Sequence, residues 1–348
     1  MPQLSVVIPC YNEEDCLAEL YQRVSAACAA CTEHYEIVLV NDGSKDRTWP
    51  MIQDFSAQDP HVMGVNLTRN HGHQLALTAG LTMARGDRIL VVDADLQDPP
   101  ELLKDMMALM DQGFDVVYGQ RRQRAGESLF KKSTASLFYR VLLRLSETPI
   151  PLDTGDFRLM SRRALDALLA MPEQHRFVRG MVSWIGFPQT ALPYDREERF
   201  AGTTKYPLKK MVRFAIDAIT GFSTKPLRFA SQIGLILAAL GALLVAYVVI
   251  AWLTGETVAG WTSLMAVVVI LGSVQMFVLG VIGEYLGRLY MQSKQRPLFL
   301  IQDVACQAKV DAERAARLGF VARDAKDSRP DLVSIEESST RNEAQVGR

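Results

Sequence analysis

Along the first 120 residues, short apolar runs alternate with longer stretches whose apolar positions recur every three to four residues. Leu4 to Ile8, Ile37 to Val40, Val62 to Leu67, Ile89 to Val92 and Val116 to Tyr118 predict buried strands. Between them, Asn12 to Cys31, Arg47 to Gln58, Gly72 to Arg85 and Pro99 to Gln112 predict helices. Strict alternation of this kind implies a mostly parallel sheet covered on both faces, a doubly wound α/β domain. Ligands of such sheets bind beyond the carboxyl ends of the strands. The polar residues gather there: Pro9, Tyr11, Asn12 and Glu13 after the first strand, "NDGSKDRT" after the second, "NHGHQ" after the third, and Asp93 with Asp95 after the fourth. Turn and cap chemistry explains some of these, because Asn, Asp, Gly and Ser are ordinary loop residues.

The pattern changes in the second half. Residues 206–222, "YPLKKMVRFAIDAITGF", place Leu208, Met211, Val212, Ala215, Ile216 and Ile219 on one helical face and Lys209, Lys210, Arg213 and Asp217 elsewhere. A basic amphipathic helix lying in a membrane surface has this pattern, and so does a soluble packing helix. Gln232 to Leu253 and Thr262 to Gly283 are each 22 residues without a charge. At about 1.5 Å per residue each spans about 33 Å, enough for a hydrocarbon core of about 30 Å. The connecting loop, "TGETVAGW", carries no cation, whereas Lys225 and Arg228 precede the first span and Arg288, Lys294 and Arg296 follow the second. The positive-inside rule therefore predicts a hairpin with both termini cytoplasmic. Trp252 and Trp261 stand where interfacial aromatics are expected, and Gly283 with Gly287 has the GxxxG spacing that suits close helix approach in a homo-oligomer. Glu284, four residues before Arg288, reads as half of a local ion pair ahead of a buried functional acid. Beyond about residue 303 a short helical pattern fades into a polar, largely disordered tail.

Composition narrows the function. The 348 residues are 49% hydrophobic and 22% charged, with a formal net charge of −1, which excludes a chain-wide electrostatic nucleic-acid binder. Of five cysteines, Cys28 and Cys31 form a lone CxxC in a helical pattern without a second pair, read as helix packing ahead of a metal or redox site. The N-terminus lacks a basic region and a small-residue cleavage site, so no signal peptide is expected. Neither GxGxxG after the first strand nor GxxxxGK[ST] occurs, which argues against dinucleotide redox chemistry and P-loop hydrolysis. Asp93 and Asp95, one residue apart on an extended chain, share a face. Such a pair suits Mg²⁺ or Mn²⁺, whose remaining ligands come from substrate phosphates and water. Asp98 reads as a cap for the helix that follows it.

Taken in order, "SVVIPCYNEE", "VLVNDGSKDRT", "DADLQDPPE", "GDFRLMSR", "RFAGTTKYPLKKM" and the paired apolar helices resemble the inverting glycosyltransferases of family 2. Within that family the likeness is to the polyprenyl-phosphate branch, which includes bactoprenol glucosyl transferases and dolichol-phosphate mannose synthases. It runs over roughly residues 4–300. The resemblance implies a GT-A catalytic domain over residues 1–205, amphipathic juxtamembrane helices over 206–230, a membrane hairpin over 231–287 and a cytoplasmic C-terminal segment over 288–348. It implies that Pro9, Tyr11, Asn12, Glu13 and Asp42 hold the nucleoside, and that Asp93 and Asp95 bind the metal, with Gln97 beside them on the nucleotide sugar. Asp156 matches the acid beside the acceptor, proposed as catalytic base, with Asp95 acting through the metal. Arg121, Arg124, Lys131, Arg176, Arg179, Arg199 and Lys205 are the cations assigned to donor or acceptor phosphates. The partners implied are a nucleotide sugar, UDP-glucose first, and undecaprenyl phosphate, in a bacterial cytoplasmic membrane. Other donor sugars stay open, as does a catalytically dead scaffold. A processive polysaccharide synthase would require a QxxRW motif and a longer channel, and the sequence has neither.

Overall fold

The computed structural model describes residues 2–122, 151, 154–195, 220, 223–254 and 260–307. Eight strands form one sheet: β1 (Leu4–Cys10), β2 (Tyr35–Asn41), β3 (Val62–Leu67), β4 (Arg88–Val91), β5 (Val116–Arg121), β6 (Thr154–Ser161), β7 (Gln189–Tyr194) and β8 (Ile301–Ala305). Their spatial order is β7-β5-β6-β4-β1-β2-β3-β8. The pairs β1·β2, β1·β4, β2·β3 and β5·β7 are parallel, while β4·β6, β5·β6 and β3·β8 are antiparallel. The expected doubly wound, mostly parallel sheet of the GT-A type is present, with each of the five predicted strands in place.

The helices are α1 (Leu17–Ala29), α2 (Thr48–Gln58), α3 (His73–Met83), α4 (Leu103–Asp111), α5 (Arg162–Ala170), α6 (Val178–Ile185), α7 (Lys225–Leu253) and α8 (Trp261–Ser293). Successive strand residues feed opposite cores, as the two-residue repeat of a pleat requires. Val6, Ile8, Ile37 and Leu39 pack with Leu17, Leu20, Val24 and Cys28 of α1, and Val7, Val38 and Val40 pack with α3. Cys28 is fully buried in that packing, and burial pushes its thiol up to about 12, while Cys31 is partly exposed.

Helices α7 and α8, of 29 and 33 residues, are long and apolar enough to cross a membrane. Leu235, Leu243, Val269 and Phe277 all lie open on their surfaces. Glu284 and Arg288 form the expected ion pair, at 2.9 Å. Gly283 and Gly287 meet no side chain among the described residues. The amphipathic segment 206–222 falls almost wholly outside the described residues, as do the tail beyond 307, Arg124, Lys131, Arg199 and Lys205.

One expectation is corrected. Where a helical pattern is expected from about residue 303, residues Ile301–Ala305 form β8, which pairs antiparallel to β3, and the stretch beyond 307 lies outside the described residues. Asn66 Nδ2 donates to Asp303 at 3.4 Å, and Thr68 N donates to the Leu300 carbonyl at 3.0 Å. The chain leaving α8 thus returns to the sheet and covers an edge that would otherwise offer unpaired backbone groups.

Candidate active site

The strand order reverses at β1: β2 and β3 lie to one side, β4 to the other. Pairing of β1 with β4 stops at Val7 and Val91, and one further bond, Val92 N to the Val7 carbonyl, precedes their separation. Pro9 sits there, buried in β1 opposite Val40 of β2, with its missing N–H on the side β4 has left. The crevice so formed is the switch point at which ligands of open α/β sheets bind.

The loops around the crevice are tied to one another. Asn12 adopts a left-handed backbone, φ 53°, which Asn tolerates better than most residues. Its N–H donates to Ser44 Oγ at 3.0 Å, and its Oδ1 accepts from Lys45 N at 2.8 Å. The Glu13 N–H donates to Thr48 Oγ1 at 2.9 Å. Asp42 is buried and accepts from the N–H groups of His71 (2.6 Å) and Gly72 (3.0 Å), which fixes the turn into α3. Burial is the main force raising its carboxyl above the ordinary value, partly offset by those two bonds.

Asp93 and Asp95 lie on the loop leaving β4. Leu96 beside them takes φ 58°, a costly conformation for leucine, held by burial of its side chain at 1% exposure. The Gln97 N–H donates to Asp95 Oδ1 at 3.3 Å, and Cys16 Sγ, from the start of α1, donates to the Ala94 carbonyl at 3.1 Å between the two acids. Burial pushes the Asp93 carboxyl up to about 6; His73 opposes this, and the Asp156, Asp98 and Asp95 carboxylates add to it. Its Oδ1 is buried without a hydrogen-bond donor, the nearest cation being His73 Nε2 at 3.5 Å. Asp98 is not the helix cap expected from sequence. It is fully buried, accepts from Tyr194 Oη, and lies 3.6 Å from Arg121 Nη2. Arg121 also donates through Nε to Tyr194 Oη at 3.3 Å and packs over Gly155, where a Cβ would come within 2.8 Å of Nη2.

Beside that loop, β6, the strand paired with β4, carries Asp156, 6% exposed. Its Oδ2 accepts from Gln74 Nε2 at 2.9 Å and lies 3.1 Å from His73 Nε2, while Oδ1 faces Arg179 at 3.6 Å and Arg158 at 3.7 Å. Burial alone would raise this carboxyl, but Arg179 first, then His73 and Arg158, hold it well below the usual carboxylate range. For His73, burial opposes the charged form; the hydrogen bond to Asp156 and the charges of Asp93 and Asp156 outweigh it and push the ring up to about 9. Arg158 is buried with its guanidinium folded back onto the carbonyls of Asp156 (3.2 Å) and Gly155 (3.0 Å).

Two family models match this chain: glycosyl transferase family 2 over residues 5–169 and the GtrB C-terminal hairpin over residues 225–289. An uncharacterized glycosyltransferase of Bacillus subtilis (strain 168), YkcC, is 48% identical over 301 residues, covering 86% of this chain and 93% of the relative. The chain belongs to glycosyltransferase family 2. A further uncharacterized glycosyltransferase, from Synechocystis sp., is 44% identical over 87% of this chain and 95% of its own length. The prophage bactoprenol glucosyl transferase homolog of Escherichia coli (strain K12) is 38% identical over 87% of this chain and 99% of its own length.

Within this glycosyltransferase the structure brings Asp93, Asp95, Asp156, Arg179 and, through Asp98, Arg121 into one electrostatic cluster. Asn12, Glu13 and Asp42 gather on the neighbouring loops. Arg176 does not join them. It is 8% exposed and donates to the carbonyls of Leu168 (2.7 Å) and Met171 (3.1 Å), capping the end of α5. His73, Gln74, Arg158, Asp98 and Tyr194, which carry no expected role at the site from sequence, contact members of this cluster. Among the described residues no group of three or more His, Cys, Asp or Glu could hold a metal alone. Asp93, whose Oδ1 lacks a donor, together with Asp95 fits an ion that takes the rest of its shell from a diphosphate and water.

Proposed function

We propose that this glycosyltransferase moves a hexose from a nucleoside diphosphate sugar, glucose from UDP-glucose first, onto the phosphate of undecaprenyl phosphate, with inversion at the anomeric carbon. The observation carrying this reading is the juxtaposition, on the β4 and β6 side of the crevice, of the Asp93 and Asp95 pair, with the Asp93 Oδ1 lacking a donor, and of Asp156, an acid ringed by cations, with His73 Nε2 between Asp93 and Asp156 at 3.5 and 3.1 Å. The relatives named bactoprenol glucosyl transferases support the lipid acceptor and glucose.

Asp93 and Asp95 would hold Mg²⁺ or Mn²⁺, which when bound offsets the charge developing on the departing nucleoside diphosphate. The bond from the anomeric carbon to that diphosphate breaks as a bond to an acceptor phosphate oxygen forms on the opposite face. A phosphate monoester has a second pKa of about 6 and is largely ionised at neutral pH, so little proton removal is needed. Asp156, held ionised by Arg179, His73 and Arg158, is a weak base. Its role in this reading is to orient Arg179 and His73 toward the acceptor. Arg121 and Arg179 are the phosphate-binding cations among the described residues, joined by Arg124, Lys131, Arg199 and Lys205. Tyr11, Asn12, Glu13 and Asp42 border the nucleoside, with Gln97 beside the metal.

The exposed apolar surfaces of α7 and α8 suit lipid, and a hairpin with both ends cytoplasmic brings the crevice to the acceptor headgroup. Asp93→Ala tests the reading. Loss of lipid glycosylation in a variant with an unchanged circular dichroism spectrum supports an enzyme of this mechanism. Turnover equal to wild type would overturn the metal assignment and favour neither this mechanism nor a passive scaffold.

A further inference from the structure

We infer that Gln74 is a positioning residue for the transfer, whose amide locks the acceptor-side acid and the helix bearing Arg179 into one arrangement. Gln74 is the second residue of α3. Its Nε2 donates to Asp156 Oδ2 at 2.9 Å, and its Oε1 accepts from the backbone N–H of Val178 at 2.9 Å. Val178 opens α6, whose preceding residue, Phe177, provides no side-chain cap. The helix therefore has an N-terminal N–H in need of an acceptor, and Gln74 supplies it from another element. Arg179 follows Val178 directly and places Nη2 3.6 Å from Asp156 Oδ1. One primary amide thus bonds both the acid and the base of the helix that carries the acid's cation. Among side chains that never ionise, Asn and Gln alone donate from one atom and accept on another, and Gln is the longer of the two.

The strap before α6 is held from its other side as well. Gln292, near the end of α8, donates to the Pro172 carbonyl at 2.8 Å and accepts from Gln174 N at 2.9 Å, and Gln174 Nε2 donates to the Arg296 carbonyl at 2.9 Å. With residues 172–174 tied to α8 and Val178 tied to α3, the position of Arg179 is set from two directions. The inference rests on the reading that Asp156 faces the acceptor. Loss of the Gln74 bonds then misaligns the acceptor while leaving the donor loop, which carries Asp93 and Asp95, in place.

The test uses Gln74→Met, which keeps length and volume without either bond, and Gln74→Glu, which keeps the acceptor for Val178 but sets an anion against Asp156. Full-length protein in membranes is assayed with undecaprenyl phosphate and the nucleotide sugar that supports wild-type turnover. For both variants kcat is expected to fall about 10- to 100-fold, the loss typical of a hydrogen bond to a charged group, with the donor KM unchanged. A wild-type kcat in either variant overturns the inference. So does a rise in donor KM matching the loss in kcat, which would mark a general structural role. Absence of lipid-linked product from wild type with every donor tried would instead sink the functional reading, and this inference with it.

Discussion

Replacing Asp93 by Asn should make the metal-free protein more stable, at the expense of its chemistry. The Asp93 carboxyl is moved from an ordinary 3.8 to about 6, first by burial and then by the neighbouring carboxylates. At about 1.4 kcal/mol per pH unit, ionising it in the folded state costs about 3 kcal/mol, an upper figure because 26% of the side chain stays exposed. The folded protein binds this proton more tightly than the unfolded chain. Stability from this group is therefore greatest below about pH 4, falls as pH rises toward about 6, and stays low above it. Asn has no such dependence. In EDTA at about pH 7.5, Asp93→Asn is expected to gain up to about 3 kcal/mol, roughly 6–12 °C in melting temperature for a domain of this size. Well below about pH 4 the gain should vanish, since Asp93 is then neutral in the folded and the unfolded chain alike. Mn²⁺ should raise the wild-type melting temperature and leave the variant unmoved. Thermal unfolding by circular dichroism across that pH range measures all three, and a variant less stable than wild type at about pH 7.5 in EDTA would refute the argument.

The opposite outcome is expected at Asp156. Asp156→Asn leaves Arg158, 3% exposed, without its counter-charge, and should cost about 3–5 kcal/mol in chemical denaturation together with most turnover. Because the wild-type Asp156 carboxyl is depressed, its stabilising contribution is present above the ordinary carboxylate range and lost only under strong acid, so the gap between the two proteins should close at low pH. Gly80→Ala drives a Cβ into Val7 and to within 2.8 Å of Val40, where α3 crosses the sheet, and should lower stability by about 1–3 kcal/mol with a matching drop in melting temperature. A chain ending at Phe299 loses β8 and bares the β3 edge; light scattering should show concentration-dependent association that the full chain lacks.

The first five strands were legible because each is a short apolar run bounded by turn residues, and the doubly wound order followed from their alternation with helices. β6 escaped because its buried face carries Asp156 and Arg158, charges that read as surface until the structure shows them neutralising each other and the guanidinium bonded to backbone carbonyls. β8 escaped because it is five residues long and follows a helix of 33, with no local signal that the chain returns to the edge of a strand 234 positions earlier, counted from Leu67 to its partner Ile301. That Asp93 and Asp95 stand together at the end of β4 follows from their spacing alone. His73 and Gln74 were visible only as polar residues after the third strand, since their relation to Asp156 crosses 83 and 82 residues of sequence. Arg176 was misassigned because a cation near a site and a cation capping a helix are the same letter until the carbonyls are seen. Asp98, likewise, is read as a cap from its place before two prolines, but its partners Tyr194 and Arg121 come from other strands.

The most direct measurement of the central claim supplies membranes containing this protein with undecaprenyl phosphate and a panel of labelled nucleotide sugars, with and without EDTA, and counts label in the lipid phase. Label from UDP-glucose that EDTA removes and Mg²⁺ or Mn²⁺ restores is the expected result. Lipid labelling that is indifferent to EDTA would contradict the role given to Asp93 and Asp95, and no labelling from any donor would contradict the reaction itself.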